Sequence, residues 1–472
     1  MLPRPKNYAI YPSVILADKP VEMTIVPCGR AFLLVEDEVY DLTVIGINSD
    51  EPYYYEPTAR VHLTAVAHGG VLKFNYTFPG EQEHLIILSR GEKKLQEMNV
   101  YSLHEDLYGL KPLKGDLHTH SYRSDGKRDP AELAGHFREQ GYDFFALTDH
   151  NRFYPGSEID EVYAGVNLGL VRIRGEEVHA PGSVVHIIHV GGNTSVADLY
   201  VHNREGYEKE IAEYETRVPA HVPEKYHGRY ARAMWVTDKI HEAGGLAIFP
   251  HPFWRPGKSQ MYNVCEELAK LFLTSGMFDG YEMLGGMAQP DNNCSVMMWS
   301  ELRAECGLRI TVVGSSDIHI LENADRFPHI YTICFAKDNS HDEIVAAVKA
   351  GRTVAVEDIG DESRRQQRCY GSLRLVMYAQ YLLKHFFGEM ERSCEGEGVA
   401  MRQYSMGAGS AELINLLADQ SRDYRARFFG EKPPVLPDGD MLAFEEKWRS
   451  VHLKSPVTKG GLVYAEKVSR QI

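Results

Sequence analysis

His118 and His120 stand one residue apart in KGDLHTHSYRSD, a spacing that sends both imidazoles off the same side of a strand. Neutral imidazoles so placed are half of a site for zinc, manganese or iron. With 21 histidines in 472 residues such a pair arises by chance roughly once, so the weight rests on what recurs downstream. Later apolar runs end the same way. FFALTDHN brings Asp149 and His150, LVRIRGEEVH brings Glu176 and Glu177, and VVHIIHVGG brings His186 and His189. LAIFPHPFW brings His251, and ITVVGSSDIH brings Asp317 and His319. A His, Asp or Glu at the end of one apolar run after another is much harder to obtain by chance than any single pair.

Elements that would carry these residues follow from the sequence between them. PAELAGHFREQG, the run from Arg232 to Ala243 and VMMWSELRAECG have apolar residues at helical spacing. Strand, polar residue, helix and strand in repetition is the pattern of a parallel α/β barrel. In such barrels the site lies at the carboxyl ends of the strands, where these residues fall.

In order and spacing, DLHTHS…SDG, LTDHN, GEE, HIIHV, PHP and GSSDIH resemble the metal-binding motifs of the PHP (polymerase and histidinol phosphatase) family, over residues 111–357. The resemblance implies a distorted (β/α)7 TIM-like barrel holding two or three divalent ions, zinc, manganese or iron. Carried over residue by residue, it implies that His118, His120, Glu177 and Asp317 hold one ion. Glu177 would bridge to a second, also bound by His186 and His251, and Asp125, His150 and His319 would hold the third. Glu177 is preferred to Glu176 because the family pattern places its glutamate two residues after a glycine, here Gly175. Glu176 would then point to the other face of the strand. His186 is preferred to His189 on alignment with the family's segment.

Mixed imidazole and carboxylate donors without a cysteine cluster suit hydrolysis rather than a structural zinc knot. Clustered ions lower the pKa of a bound water and clamp phosphate oxygens. The expected function is therefore a metal-dependent phosphoesterase, foremost a phosphatase that attacks a small phosphomonoester with a metal-activated hydroxide. Asp317 or His319 would handle the proton. Arg123, Arg152 and Arg255 are the cations nearest the motifs, able to fork onto two phosphate oxygens or simply to lie on the surface. The alternatives are a phosphodiesterase or exonuclease-like activity, or a non-phosphate hydrolase acting on a carbohydrate-derived or amide substrate. A non-catalytic module is disfavoured by the full ligand set.

His136, His179 and His189 read as solvent-facing or hydrogen-bonded. Asp149 reads as a partner orienting His150 or a direct ligand. Glu282 reads as a pocket carboxylate or a surface one, and Phe253, Trp254 and Trp299 as core or as stacking surfaces.

Composition bounds the rest. A balance of 43% hydrophobic and 25% charged residues is that of a globular chain, and a net charge of −15 argues against extended nucleic-acid binding. Seven scattered cysteines without a CxxC fit a reducing compartment. The start, MLPRPKNYAIYPSVILADKP, has prolines and charges where a secretory apolar region would lie, and no run reaches the ~18 residues of a membrane span. A cytoplasmic protein with a small phosphorylated substrate and no membrane partner is expected.

Residues 1–105, with short Val-, Ile-, Thr- and Tyr-rich segments between Gly, Pro and Asn turns, predict an antiparallel β-sandwich ahead of the barrel at 111–357. HDEIVAAVKAGRTVAV reads as the barrel's last helix and strand, and DIGDESRRQQR as a charged, exposed connection. A small, mainly α region over 358–472 follows. The insertion 193–230, with Tyr200, Tyr207, Tyr214, Lys225 and Arg229, reads either as a lid or as a packed surface excursion.

Overall fold

The structure, a computed structural model, describes residues 6–48, 60–257, 259–321, 327–359 and 366–452. It is a mixed α/β chain of two compact units. One spans Gly109–Tyr424, and the other is built from the described residues before Gly109 and after Tyr424. The segment 358–472, expected as a separate region, is thus shared between the units. The helices Leu373–Leu382, Gly388–Ser405 and most of Ala411–Phe428 fall in the Gly109–Tyr424 unit, and Gly439–His452 falls with the amino-terminal strands.

The amino-terminal strands are β1 (Tyr8–Tyr11), β2 (Val14–Leu16), β3 (Pro20–Pro27), β4 (Val39–Gly46), β5 (Arg60–His68), β6 (Val71–Thr77), β7 (Gln82–Arg90) and β8 (Lys93–Leu103). Alternate residues such as Leu42 and Val44, or Ile86 and Leu88, are buried, as period-two patterning requires. The predicted sandwich is not the arrangement found. All eight strands form one hydrogen-bonded series, β1-β3-β6-β5-β4-β7-β8-β2. The physical reason is that the two consecutive short strands β1 and β2 serve opposite ends of the series, β1 pairing with β3 and β2 with β8. Gln96 of β8 fastens the same junction: its Oε1 accepts from the backbone N–H of Asn7 and Tyr8 at 2.8 and 3.0 Å, and its amide donates to the Tyr8 carbonyl at 2.5 Å.

The second unit carries β9 (Lys111–Asp116), β10 (Phe144–Ala146), β11 (Val171–Ile173), β12 (Gly175–His179), β13 (His186–Val190), β14 (Leu246–Phe249), β15 (Gly280–Leu284), β16 (Thr311–Gly314), β17 (Ile330–Ala336), β18 (Thr353–Ile359) and β19 (Gln366–Tyr370). They form a six-stranded sheet, β11-β10-β9-β17-β18-β19, and a five-stranded one, β12-β13-β14-β15-β16. β9, β10 and β11 run parallel, as do β14, β15 and β16, but β12, β13 and β14 are antiparallel neighbours. The cause is that β12 and β13 follow each other without a helix between them, so the chain reverses directly.

Backbone hydrogen bonds join the sheets near the strand ends. Asp317 donates to His118 and His120 to Ile318, while Glu177 donates to Thr148 and Asn151 to Glu177. Inside, Leu113, Phe144, Ile173, Ile188, Ile248 and Val313 form a dry core, each such side chain stabilising the fold by about 1.5–3 kcal/mol.

Helices pack outside. Pro130–Glu139 starts where the Asp129 carboxylate accepts from the N–H groups of Ala131 and Glu132, with proline in the first turn. Gln289–Cys306 stops at Gly307, whose φ of 67° most other residues disfavour. The insertion 193–230 resolves into helices Ala197–His202 and Arg204–Thr216, with Tyr200, Tyr207 and Tyr214 buried in the outer core beside Trp235. It is a packed excursion rather than a lid. DIGDESRRQQR is not a simple exposed connection: its ends lie in β18 and β19, which pair antiparallel, and its middle lies outside the described residues. Among the described residues no helix is long and apolar enough to cross a membrane.

Candidate metal centre

Strand register decides which side chains meet. In the β12–β13 pair Glu177 lies opposite Ile188 and His179 opposite His186, so Glu177, His179 and His186 share one face. Glu176 lies opposite His189 on the other. The inner face opens into a cavity of about 400 Å³ whose lining includes Asp125, His150, Glu177, His186, His251, Asp317 and His319. His118 and His120 lie at its floor, fully buried.

Glu177 is the hub. Its Oε2 is 3.4 Å from the Nε2 atoms of His118 and His120 and 2.7 Å from Nδ1 of His150. Its Oε1 is 2.8 Å from His186 Nδ1 and 3.3 Å from His251 Nε2. Asp317 Oδ1 closes the same floor, 3.2 and 3.1 Å from the His118 and His120 Nε2 atoms. Asp125 Oδ1 sits between His150 Nε2 at 3.3 Å and His319 Nε2 at 3.1 Å. All nine residues put forward as ligands therefore converge, in groups whose donor atoms lie within 4.8 Å of one another.

These donors fit divalent ions. The ring nitrogens of His118, His120, His150 and His186 that face the hub, and Oε2 of Glu177, are buried without a hydrogen bond, a costly state for polar atoms unless something binds them. Burial works against ionisation of Glu177 and Asp317, yet the histidines outweigh it. His118 and His186 hold Glu177, and His118, His120 and His251 hold Asp317, below the usual carboxylate range. Burial pushes His186 down to about 4, against the pull of the Glu177 charge.

Supporting residues fix the donors. His118 Nδ1 is 2.8 Å from the buried Glu282 carboxylate, leaving Nε2 for the site, and His319 Nδ1 is 2.9 Å from the Asp317 carbonyl. The Asp116 carboxylate accepts from the N–H of His118 at 3.1 Å and of Ser316 at 3.0 Å, tying the ends of β9 and β16 together. Burial raises its pKa to about 7. His251, Asp317 and Asn151 hold φ values of 26°, 49° and 55°, strain of the kind that surrounding structure must enforce. Gly286 lets Asp317 sit close: a Cβ there would lie 2.4 Å from the Asp317 Cβ.

Other expectations fail. None of the three arginines lines the pocket. Arg123 is forked by Glu158 at 2.7 and 2.8 Å, Arg255 is held by Asp291 at 2.9 Å, and Arg152 is exposed. Asp149 does not orient His150. It accepts from the N–H and hydroxyl of Ser121 and from the Ser124 hydroxyl, fixing the loop after His120. His179 is a pocket residue rather than a solvent-facing one, stacked on His186 at 3.7 Å and 3.4 Å from Glu177. Its place was legible in the alternation of GEEVH, two residues beyond Glu177. Trp254 lines the pocket, Phe253 is core, and Trp299 lies elsewhere, under Arg303.

No protein-family model matches the chain. Over 83 residues it is 36% identical to the DNA polymerase/3'-5' exonuclease PolX of Bacillus subtilis, a match that takes in 16% of this chain and 15% of that protein's length. Among solved structures it is similar to a two-domain protein of Bacteroides vulgatus described as containing a predicted PHP-like metal-dependent phosphoesterase. The identity there is 19% and the TM-score 0.35, over 56% of this chain and 77% of that one. An amidohydrolase of Chromobacterium violaceum solved with sulfate and no metal is 19% identical, with a TM-score of 0.30, over 44% and 87%. The segments that resemble the PHP motifs stand in order along the chain, and their His, Asp and Glu side chains meet in one pocket.

Proposed function

We propose that this chain is a metal-dependent phosphoesterase, built on a distorted seven-stranded barrel, that hydrolyses a small phosphomonoester. The observation that carries the reading is the convergence of nine His, Asp and Glu side chains on one cavity with buried, unbonded donor atoms facing inward. His118, His120, Glu177 and Asp317 would hold one ion, Glu177, His186 and His251 a second, and Asp125, His150 and His319 a third. Ions held there supply charge neutralisation for phosphate and a hydroxide source at neutral pH.

The chain's own residues do the rest. Glu282 and the Asp317 carbonyl fix the tautomers of His118 and His319, so that each presents a lone pair. Asp317, bridging the floor and the pocket wall, is the group placed to hold the proton of the attacking water. No Lys or Arg among the described residues lines the pocket, so the phosphate charge falls to the ions. A soluble cytoplasmic location and freedom from membrane and extended nucleic-acid partners belong to the same proposal.

Phosphate release is the test, from protein reconstituted separately with manganese, zinc and iron(II), beside His118→Ala. Metal-dependent release that vanishes in the variant is expected, and silence from protein shown to hold its metals would overturn the phosphomonoesterase. A phosphodiesterase is the second reading, favoured by the short match to an exonuclease. A bis-aryl phosphodiester in the same assay separates the two.

A further inference from the structure

Three of the residues lining the cavity are apolar: Trp254, which is half-buried, Ile318, and Ile320, which is 40% exposed. Trp254 follows the His251 turn, where its N–H donates to the His251 carbonyl at 3.0 Å and its carbonyl accepts from Asn263 at 2.7 Å. Its ring stands 5.6 Å from the rings of both His186 and His251, tilted against one and edge-on to the other. The indole is therefore held beside the proposed ligands instead of being buried in the core. Ile318 and Ile320 flank His319 and bracket the donors from another strand end. The remaining lining is imidazole and carboxylate, and no described Lys or Arg is there to meet a second anionic group.

We infer that the group leaving with the ester oxygen is an uncharged aromatic ring, seated against Trp254 and the two isoleucines, and that Trp254 determines specificity. This rests on the phosphoesterase reading for the phosphate and on the pocket wall for the ring. Burying a ring against this wall releases water from apolar surface and gains aromatic contact. A polyol would lose its hydration there without gaining hydrogen-bond partners. A nucleoside triphosphate or a bisphosphate would bring further negative charge to a lining in which the described residues include no Lys or Arg.

Two measurements on the metal-loaded full chain test this. The first compares kcat/KM for 1-naphthyl phosphate and glycerol 2-phosphate in the native chain, Trp254→Ala and Trp254→Phe, with metal content measured in each. Trp254→Ala should lower the naphthyl value about tenfold and the glycerol value less than about twofold, and Trp254→Phe should restore most of the difference. Equal losses on both substrates, or no loss, would overturn the inference while leaving the phosphoesterase standing.

The second, calorimetric binding of benzylphosphonate against 2-hydroxyethylphosphonate, needs no turnover. Tighter binding of the benzyl compound, weakened by Ile320→Ser as well as by Trp254→Ala, supports the ring site. Equal affinity overturns it. If benzylphosphonate binds preferentially but no phosphate ester is cleaved, the ring site stands and the proposed reaction falls.

Discussion

The two faces of β12 carry nearly the same chemistry to opposite ends. Glu177 and Glu176 are adjacent, each buried and each beside a histidine of β13. On the outer face the Glu176 carboxylate is fully partnered, and His189 Nε2 is the one atom of the pair left without a hydrogen bond. Glu176 accepts from the Ser195 hydroxyl at 2.8 Å and the Val196 N–H at 2.6 Å and faces His189 Nδ1 at 3.2 Å, while His189 stacks on Phe153. On the inner face Glu177 faces six histidines, and buried ring nitrogens are left over. A buried carboxylate–histidine pair is thus no sign of function in itself. What distinguishes the face proposed to bind metal is the number of buried side-chain atoms left without a partner, six around Glu177 against one beside Glu176.

Exchanging the two glutamates for glutamine gives the largest contrast. Glu177→Gln should cost orders of magnitude in activity together with metal content. Glu176→Gln should retain both and lose about 1–3 kcal/mol of stability, because the Val196 N–H and Ser195 hydroxyl lose an ionised acceptor. Metal analysis and a denaturant melt of the two variants check this, and equal metal loss would erase the distinction between the faces.

The histidines sharpen it. His189→Ala should destabilise by about 2–4 kcal/mol, through a cavity beside Phe153 and an unpaired Glu176, with metal binding intact. His186→Ala should weaken metal binding with a smaller effect on the melt. Isothermal metal titration beside thermal unfolding separates them.

A third buried histidine extends the comparison to the amino-terminal strands. His84 Nε2 is 2.9 Å from the Ser102 hydroxyl, and burial outweighs the favourable charge of Glu83 and lowers the His84 pKa to about 4. The unfolded chain, with an ordinary value near 6.5, binds the proton first. The His84 contribution is therefore full above about pH 6.5 and is lost as pH falls toward 4, by up to about 3 kcal/mol. His84→Gln should flatten that part of the stability–pH curve; an unchanged slope would remove His84 as its cause.

The smallest effect tests a residue that touches both faces. Asn151, at a φ of 55°, accepts through its side chain from the His179 N–H at 2.7 Å and from the Tyr200 hydroxyl of the outer layer at 2.6 Å. Asn151→Gly keeps the backbone and removes the acceptor, and should cost about 1 kcal/mol, read from the chemical denaturation midpoint.

Much of the site was legible because strand alternation is local. GEEVH and HIIHV sort their own residues by face, and the apolar runs place His118, His251 and Asp317 at strand ends. The register joining β12 to β13 is not local, yet it sets His186 opposite His179 and aligns His189 with Glu176. Partners distant in sequence were out of reach. Glu158 and Asp291 claim Arg123 and Arg255, and Glu282 reaches His118 across 164 residues. The closing of the amino-terminal strands into one series was hidden for the same reason, since it depends on β1 and β2 serving opposite ends. In the five-stranded sheet, the antiparallel β12–β13 step was hinted at by the short interval between two apolar runs with no helical pattern between them.

The bonds that join the two sheets of the second unit involve His118, His120, Asp317 and Glu177, four of the proposed ligands. Ions seated there would draw together side chains from opposite sides of both seams, acting as rivets as well as reagents. Stripping the metal should then loosen the backbone amides of these four residues before the rest of the sheets, a local opening that hydrogen exchange would time. Chemistry and cohesion would share one set of atoms, so the protein would be most firmly closed when it is ready to act.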